Sequence, residues 1–441
     1  MSGIAKILLE QGYRVSGSDL QAGDAVRRLE AAGATVYIGH NPANLKDDVN
    51  LVVVSTAIAP DNEELLAARA REIPVAHRGE MLARLMAEKK GIAVAGSHGK
   101  TTTTAMVALV LEKGNLDPTV VVGGNFHDIG GNAKRGLGEY LVAEADESDG
   151  SFLKLDPYIA IVTNIEDDHL DHYGSREKIE TAFREFVEKL PENGFVVFCM
   201  DDANVRAMAG EINKRMVTYG IDYPAQYTAR EIRNKGLTTY AEIYFEDRRL
   251  GRLELNVPGR HNINNAMAAV AVGLGLGLDF TDVAGALKSF NGVGRRFQLM
   301  GQVDGINVVD DYAHHPTEVA ATLRAARQTD AGRVIAVFQP HRYTRTKFLY
   351  NEFGGAFTDA DLVIINEIYS AGEAPIEGVT ADLIVRAAKE RMTKPVLYFR
   401  TMGEIVDFLT AEARPGDLIM TLGAGNIRNA GQELVEKLKV R

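Results

Sequence analysis

Along the chain, short apolar runs alternate almost throughout with stretches whose apolar positions recur at helical spacing, the pattern of open parallel sheets covered by helices. The predicted class is therefore α/β. The first segment opens on the helical run SGIAKILLEQG, passes to the strand YRVSGSD, and adds the apolar runs LVVVS and IPVA on either side of the helical DNEELLAARARE. A second set of strands reads TVVVG, YLVAEAD, YIAIVTN and FVVFC. The polar, aromatic-containing stretch from Ala225 to Val257 then breaks the alternation and predicts antiparallel hairpins. A helix is expected from Ile263 to Leu276, with Asn262 as its N-cap. Beyond the Gly-rich NGVGRRF, the strands INVVD, RVIAVFQ, DLVIIN, PVLYF and DLIMTL are each followed by a helical pattern.

These breaks divide the 441 residues into three expected domains, 1–89, 90–294 and 295–441, in line with a prior of roughly 150 residues per domain. The outer two read as Rossmann-like, the middle one as a P-loop ATPase-like α/β domain carrying hairpins. A Rossmann-type unit needs a strand and a Gly-rich turn before its first helix. Here Met1 falls inside what reads as that turn, so the chain is expected to begin one strand late.

Lys plus Arg number 49 against 60 for Asp plus Glu, a net charge of −11, and no basic run suggests a nucleic-acid groove. The single Cys199 excludes an intramolecular disulfide framework and reads as a small buried side chain, in keeping with a reducing cytoplasm. No apolar run reaches the ~20 residues of a membrane span, and the start lacks the pattern of a signal peptide.

Candidate chemistry is concentrated just past the strands. In GIAVAGSHGKTTTT, a strand leads to a Gly-rich turn and then a Lys-Thr pair opening a helix. The backbone of Gly96, Ser97, His98 and Gly99, with Thr102 following, would cradle phosphate; Lys100 would reach the β/γ-phosphates and the Thr101 hydroxyl would ligate Mg²⁺. The G-x-x-G-K-T-T spacing is two residues tighter than the common P-loop. A chance GKT at a helix start is the plain alternative, which the flanking strand and helix disfavour. Glu144, in AEADESDGSF, ends a predicted parallel strand; such an acidic stretch is otherwise a solvated loop, but beside a phosphate loop it is the expected second Mg²⁺ ligand. His169, among Asp167, Asp168 and Asp171, is a candidate for a second divalent ion rather than an ordinary structural histidine. Asn262 and Asn265 share a helix face, where amides suit an adenine edge or groups near phosphate. Arg295 and Arg296 lie at a junction from which an Arg swings onto a transferring phosphoryl group. Asp311, His314 and His315 in VVDDYAHHPTE and His341, Arg342 and Arg345 in FQPHRYTRTK should face one crevice. The latter three form an anion site for carboxylate or phosphate.

Taken together, GSHGKTT, AEADESD, TNIEDDHLD, GRHNINN, GRRF, DDYAHHPTE and FQPHRYTR resemble the Mur ligases of peptidoglycan synthesis, in order and over nearly the whole chain. The resemblance implies a first domain holding a UDP-sugar, a central ATPase domain and a last domain presenting the amino acid. It makes Lys100 the phosphate-binding lysine and Thr101 and Glu144 ligands of nucleotide-bound Mg²⁺. His169 would hold a second ion, Asn262 and Asn265 would serve the ATP site, and Arg296 and Asp311 would contact nucleotide. Asp19, His341, Arg342 and Arg345 would be substrate contacts, and His169 and His314 candidates for proton handling. The implied reaction is ATP-dependent joining of L-alanine to UDP-N-acetylmuramate through an acyl phosphate, by a cytoplasmic monomer or homodimer. Several related ligases carry a carbamylated lysine some fifteen residues past the metal-binding His; Arg184 stands there instead, pointing to the alanine-adding branch. Rival readings are a recycling ligase that attaches an intact tripeptide, a regulatory or motor ATPase using the same loop, and an inactive paralogue.

Overall fold

The computed structural model describes residues 1–166 and 170–441. They form two compact units: residues 1–230, 243–251 and 264–287 in the first, and residues 231–242, 252–263 and 288–441 in the second. Among the described residues no helix is long and apolar enough to cross a membrane.

The first unit begins with the helix Ser2–Glu10, as the sequence pattern indicates. Gly3 lies against Ala133, and Lys6 Nζ donates to the Ala133 carbonyl at 2.7 Å, fixing this helix on the strand Gly131–Lys134. Two small parallel sheets follow, Ser16–Asp19 with Thr35–Ile38 and Val52–Val54 with Val75–His77. The larger sheet centres on Lys90–Ala95, which pairs in parallel with Tyr140–Glu144 on one side and Ile159–Val162 on the other. Gly91 to Ala95 are buried, because helices cover both faces of a central parallel strand; hence the run GIAVA is continuously apolar. The register aligns Val94 with Glu144 and Ala95 with Val162, so three loops leave the sheet side by side at its carboxyl edge. Below that edge, Phe152 packs against Phe183 and Phe186 with ring centroids 5.3 and 5.1 Å apart.

The expected hairpins are the strands Tyr227–Lys235, Thr238–Phe245 and Arg248–Leu255, joined by two-residue turns. Glu246 and Asp247 both have positive φ (46° and 66°), the conformation that lets a two-residue turn follow the twist of its strands. One local expectation is corrected here. The next helix runs Arg260–Gly275, so Asn262 sits within its first turn rather than at the N-cap. Its amide donates instead to the Pro258 carbonyl at 2.8 Å.

The second unit is built on a six-stranded sheet in the order 298–303, 306–311, 417–422, 333–338, 362–365, 396–398. Its neighbouring strands run parallel, apart from the antiparallel hairpin at the first edge. Phe338 packs on Phe353 and Phe357 beneath the sheet. At the opposite, amino end of the central strands, Arg333 makes a two-pronged contact with Asp417 at 2.9 and 2.7 Å and reaches Glu412 at 3.0 Å. The Asp417 side chain is only 4% exposed, so its charge depends on that guanidinium. Arg333→Met should therefore lower stability by about 2–4 kcal/mol by stranding a buried carboxylate, and Asp417→Asn in the same chain should recover part of the loss. Melting curves of the single and double variants test this; equal loss in both would show that Asp417 needs no counter-charge.

Candidate active site

The carboxyl edge of the first unit's sheet gathers the phosphate-loop residues. Gly96 (φ 134°) and Gly99 (φ 83°) bend the backbone through conformations that side chains disfavour. A Cβ on Gly96 would lie 2.1 Å from Thr163 Oγ1, and one on Gly99 would lie 2.6 Å from Asn265 Oδ1. The loop is pinned by residues just past the neighbouring strand: Asn164 Oδ1 accepts from the His98 N–H at 2.8 Å. The His98 carbonyl accepts from Thr163 Oγ1 at 2.6 Å and from Asn164 Nδ2 at 3.0 Å. Ser97 Oγ accepts from the Glu166 N–H at 2.9 Å, and His98 Nε2 lies 3.2 Å from Glu166. The helix Lys100–Lys113 starts from Gly99, which supplies no capping side chain. Its first N–H groups thus suit an anion.

Thr101 Oγ1 donates to Glu144 Oε2 at 3.1 Å, bringing together the two hard oxygen donors expected to hold a metal; Glu144 also accepts from the Gly123 N–H. Lys100 donates to the carbonyls of Gly96 (2.5 Å) and Ser97 (3.2 Å) and to Glu147 Oε1 (2.6 Å). Burial opposes the charge on Lys100, but Glu147, Asp146 and Glu144 more than offset it, and the pKa is raised. Burial likewise pushes the Asp146 carboxyl up, yet Ser148, Lys100 and Arg78 hold it below its ordinary value; Arg78 donates to it at 2.7 Å. Thr102 is buried behind the loop. His169, with Asp167 and Asp168, lies outside the described residues. Arg184 is half exposed and pairs with Glu211, turned to the surface of its helix.

Asn265 is buried and accepts from Thr103 Oγ1 at 3.2 Å, which sets its amide beside Gly99. Asn262, also buried, is tied to Pro258. Asp19 ends the first strand with its carboxylate accepting from the Gln21 N–H at 3.1 Å. Beside it, Ser18 Oγ donates to Glu64 at 2.7 Å and meets His40 Nδ1 at 2.9 Å.

In the second unit the two expected clusters do meet. His314 and His341 have ring centroids 5.8 Å apart, and His341 stacks on Tyr369 at the same separation. Burial first, and then His314, Arg345, Arg342 and Arg295, push His341 down to about 3, so its neutral ring accepts from Arg345 Nη1 at 3.3 Å. Arg342 starts the helix Tyr343–Ala356 at φ 71°. His314 contacts the Tyr312 carbonyl at 2.9 Å and Glu318 at 3.2 Å, while His315 and Glu318 form the capping box of the helix Pro316–Arg327. Arg296 lies 3.7 Å from Glu318 and over the Tyr312 ring. Arg295 is otherwise employed: it pairs with the fully buried Asp310 at 3.1 Å and donates to the Gly423 carbonyl at 2.6 Å, holding loops together. Asp311 accepts from the backbone N–H groups of Phe297 (2.7 Å) and Ala313 (2.8 Å). Burial raises its pKa to about 6 against the pull of Arg296 and those amides.

Residues not singled out from sequence include Glu147, Thr163, Asn164 and Glu318. Glu147 was visible within DESD, but choosing among its acids needed the loop's path. Thr163 and Asn164 carried a signal in lying directly past a strand, level with Gly96.

A phosphate-type loop with an uncapped helix start, beside a hydroxyl–carboxylate pair on a parallel sheet, defines a nucleotide-dependent class of α/β protein. Three family models match: the Mur ligase family catalytic domain over residues 1–90, the Mur ligase middle domain over 94–273 and the Mur ligase glutamate ligase domain over 295–425. The chain belongs to the Mur ligase family. It is 60% identical over 440 residues to a UDP-N-acetylmuramate–L-alanine ligase of Pelotomaculum thermopropionicum, covering 100% of this chain and 95% of that relative. It is 47% identical to the protein so named in Geobacter sulfurreducens, again with 100% and 95% covered. Among solved structures, the UDP-N-acetylmuramate-alanine ligase of Thermotoga maritima superposes with a TM-score of 0.86 at 29% identity, covering 100% and 96% of the two chains. A murein peptide ligase of Psychrobacter arcticus gives 0.73 at 25%, with the same coverage.

Two outcomes follow from the geometry. Gly96→Ala should destabilise the protein by about 2–3 kcal/mol and abolish binding of nucleotide analogues, because the added methyl group displaces Thr163 and the loop it pins; a melting curve and a titration matching wild type would contradict the cradle. The Asp311 carboxyl, followed by carbon-13 NMR, should titrate near pH 6. Since its folded pKa exceeds the unfolded value near 3.9, this group's contribution to stability declines as pH rises from about 4 to 6. A midpoint at or below 4 would mean that Arg296 and the backbone amides outweigh burial.

Proposed function

We propose that this chain catalyses the ATP-dependent, ADP-forming ligation of L-alanine to UDP-N-acetylmuramate, a step of peptidoglycan precursor synthesis in the cytoplasm. The observation that carries the reading is the Thr101–Glu144 pair beside the Lys100 loop, in a chain that shares its full length and 60% of its residues with a ligase of that name. The domains 1–89, 90–294 and 295–441 would hold the UDP-sugar, the nucleotide and the amino acid respectively.

Amide formation from a carboxylate fails without activation, because the carboxylate is a poor electrophile and oxide a poor leaving group. The substrate carboxylate therefore attacks the γ-phosphorus, giving an acyl phosphate and ADP. The free amine then attacks the acyl carbon, loses a proton, and the tetrahedral intermediate expels phosphate. Charge builds first on phosphoryl oxygens and then on the oxyanion, which is where fixed donors contribute most. The N–H groups of Gly99, Lys100 and Thr101 at the helix start orient the phosphate chain and the Lys100 ammonium neutralises it, whereas the Ser97 and His98 N–H groups are taken by Asn164. Thr101 and Glu144 would hold Mg²⁺, which supplies charge neutralisation on the phosphates, with a second ion assigned to His169. Asn265 shapes the loop, Asn262 serves the nucleotide from the same helix, and Arg296 and Asp311 are assigned to nucleotide contact. Neutral His341, with Arg342 and Arg345, makes a compact cationic site for substrate carboxylate, with Asp19 assigned to the UDP-sugar. His314, hydrogen-bonded on Nδ1, has Nε2 for the proton leaving the amine.

Phosphate release should require UDP-N-acetylmuramate, L-alanine and Mg²⁺ together, and Lys100→Ala should abolish it. Equal release with a tripeptide in place of alanine would transfer the assignment to the recycling reaction, and near-normal turnover by the Lys100 variant would refute the phosphate-loop role. Arg342→Ala and Arg345→Ala should each raise KM for one of the two non-nucleotide substrates about 10- to 100-fold, the equivalent of a charge-assisted bond of roughly 1.5–3 kcal/mol. Nucleotide affinity should be unchanged. Steady-state kinetics indistinguishable from wild type in both variants would return this run to ordinary helix surface.

A further inference from the structure

An ammonium has three donors, and all three of Lys100 are engaged: by the Gly96 carbonyl at 2.5 Å, the Ser97 carbonyl at 3.2 Å and Glu147 Oε1 at 2.6 Å. To reach a phosphate, Lys100 must release at least one. The three are not equivalent. The Glu147 contact is an ion pair whose carboxylate is only 3% exposed, so breaking it gives up charge–charge attraction in a buried site as well as a hydrogen bond. Releasing a neutral carbonyl of the loop costs several-fold less.

Glu147 is itself held firmly. Its carbonyl accepts from Tyr173 OH at 2.6 Å and from the Gly150 N–H at 3.0 Å. The preceding Asp146 is fixed by Arg78 at 2.7 Å and by the Ser148 N–H at 3.1 Å. Lys100 stands on the first turn of its helix and Glu147 on this braced turn, three residues past the strand that ends at Glu144. The turn that carries the carboxylate is therefore braced at its backbone, and the ammonium, at the end of a four-carbon stem, is the group with more freedom to turn.

We propose that Glu147 is a positioning residue that keeps hold of Lys100 when nucleotide binds. The ammonium turns off the Gly96 and Ser97 carbonyls onto phosphate oxygens, with Glu147 as the pivot that aims it. The inference rests on the nucleotide reading above. It differs in sign from its natural rival, in which Lys100 abandons Glu147 on binding. In the rival, Glu147 competes with phosphate, and removing its charge tightens nucleotide binding. With Glu147 as pivot, the loss of aim outweighs the relief of repulsion between carboxylate and phosphate, and binding weakens.

The test is calorimetric titration of the full chain with Mg²⁺ and β,γ-imido-ATP. Glu147→Gln should weaken Kd about 5- to 20-fold, and that effect should vanish when Lys100→Gln is already present, since there is then no ammonium to aim. An unchanged or tighter Kd in Glu147→Gln overturns the proposal, as does a full effect in the Lys100→Gln background. Should Glu147→Gln not fold, Tyr173→Phe leaves both charges in place and loosens only the anchor. It should weaken Kd about 2- to 3-fold, and an unchanged Kd there also overturns the proposal. Absence of binding by the wild-type chain would instead refute the nucleotide reading itself, whereas wild-type binding with Glu147→Gln unmoved removes only the pivot.

Discussion

A single register relation governs the first unit: the parallel pairing of Lys90–Ala95 with a strand on either side, which brings Ala95, Glu144 and Val162 to one edge. Helix N-termini and freed backbone donors collect at the carboxyl ends of parallel strands, so that edge is where an anion is most easily held. A slip of one residue would turn Glu144 to the opposite face and separate it from Thr101. Because GIAVA is buried on both faces, the slip is resisted at its end, where sliding the strand would draw the exposed Lys90 into the buried layer. The chemistry thus depends on hydrophobic burial one layer below it.

At that edge a strongly acidic chain concentrates a few cations and partners each with care. Lys100 is set against Glu147, Arg78 against Asp146, and in the second unit Arg295 against Asp310. Where the carboxylate is as buried as Glu147 or Asp310, such a pair contributes little net stability and costs several kcal/mol when its cation is lost. What they provide is a fixed position. The second unit applies the same logic to His341, whose low pKa keeps its ring a neutral acceptor beside two arginines.

Much of this was legible in the sequence, because its signals are local. Strand–helix alternation, the glycines of the phosphate loop and the clusters after each strand depend on residues close together in the chain. The hairpins of 225–257 were legible for the same reason. The misplaced N-cap shows where local reading stops: Asn262 looks like a cap, but the chain enters the helix two residues earlier and the amide turns back to Pro258. Arg295 and Arg296 are neighbours of one type with different fates, one holding the Gly423 loop and the other beside Glu318, a distinction set by partners distant in the chain. Glu147 was hidden among the four acids of AEADESD for the same reason, since only the path of its loop singles it out.

Activation of a carboxylate by phosphoryl transfer at the Lys100 loop is the central claim, and an isotope experiment tests it most directly. UDP-N-acetylmuramate labelled with oxygen-18 in its carboxylate is ligated to L-alanine, and the phosphate released is followed by mass analysis. One labelled oxygen is expected in phosphate for each amide formed, because the oxygen that attacks the γ-phosphorus leaves with it. Amide formation with unlabelled phosphate would contradict the mechanism.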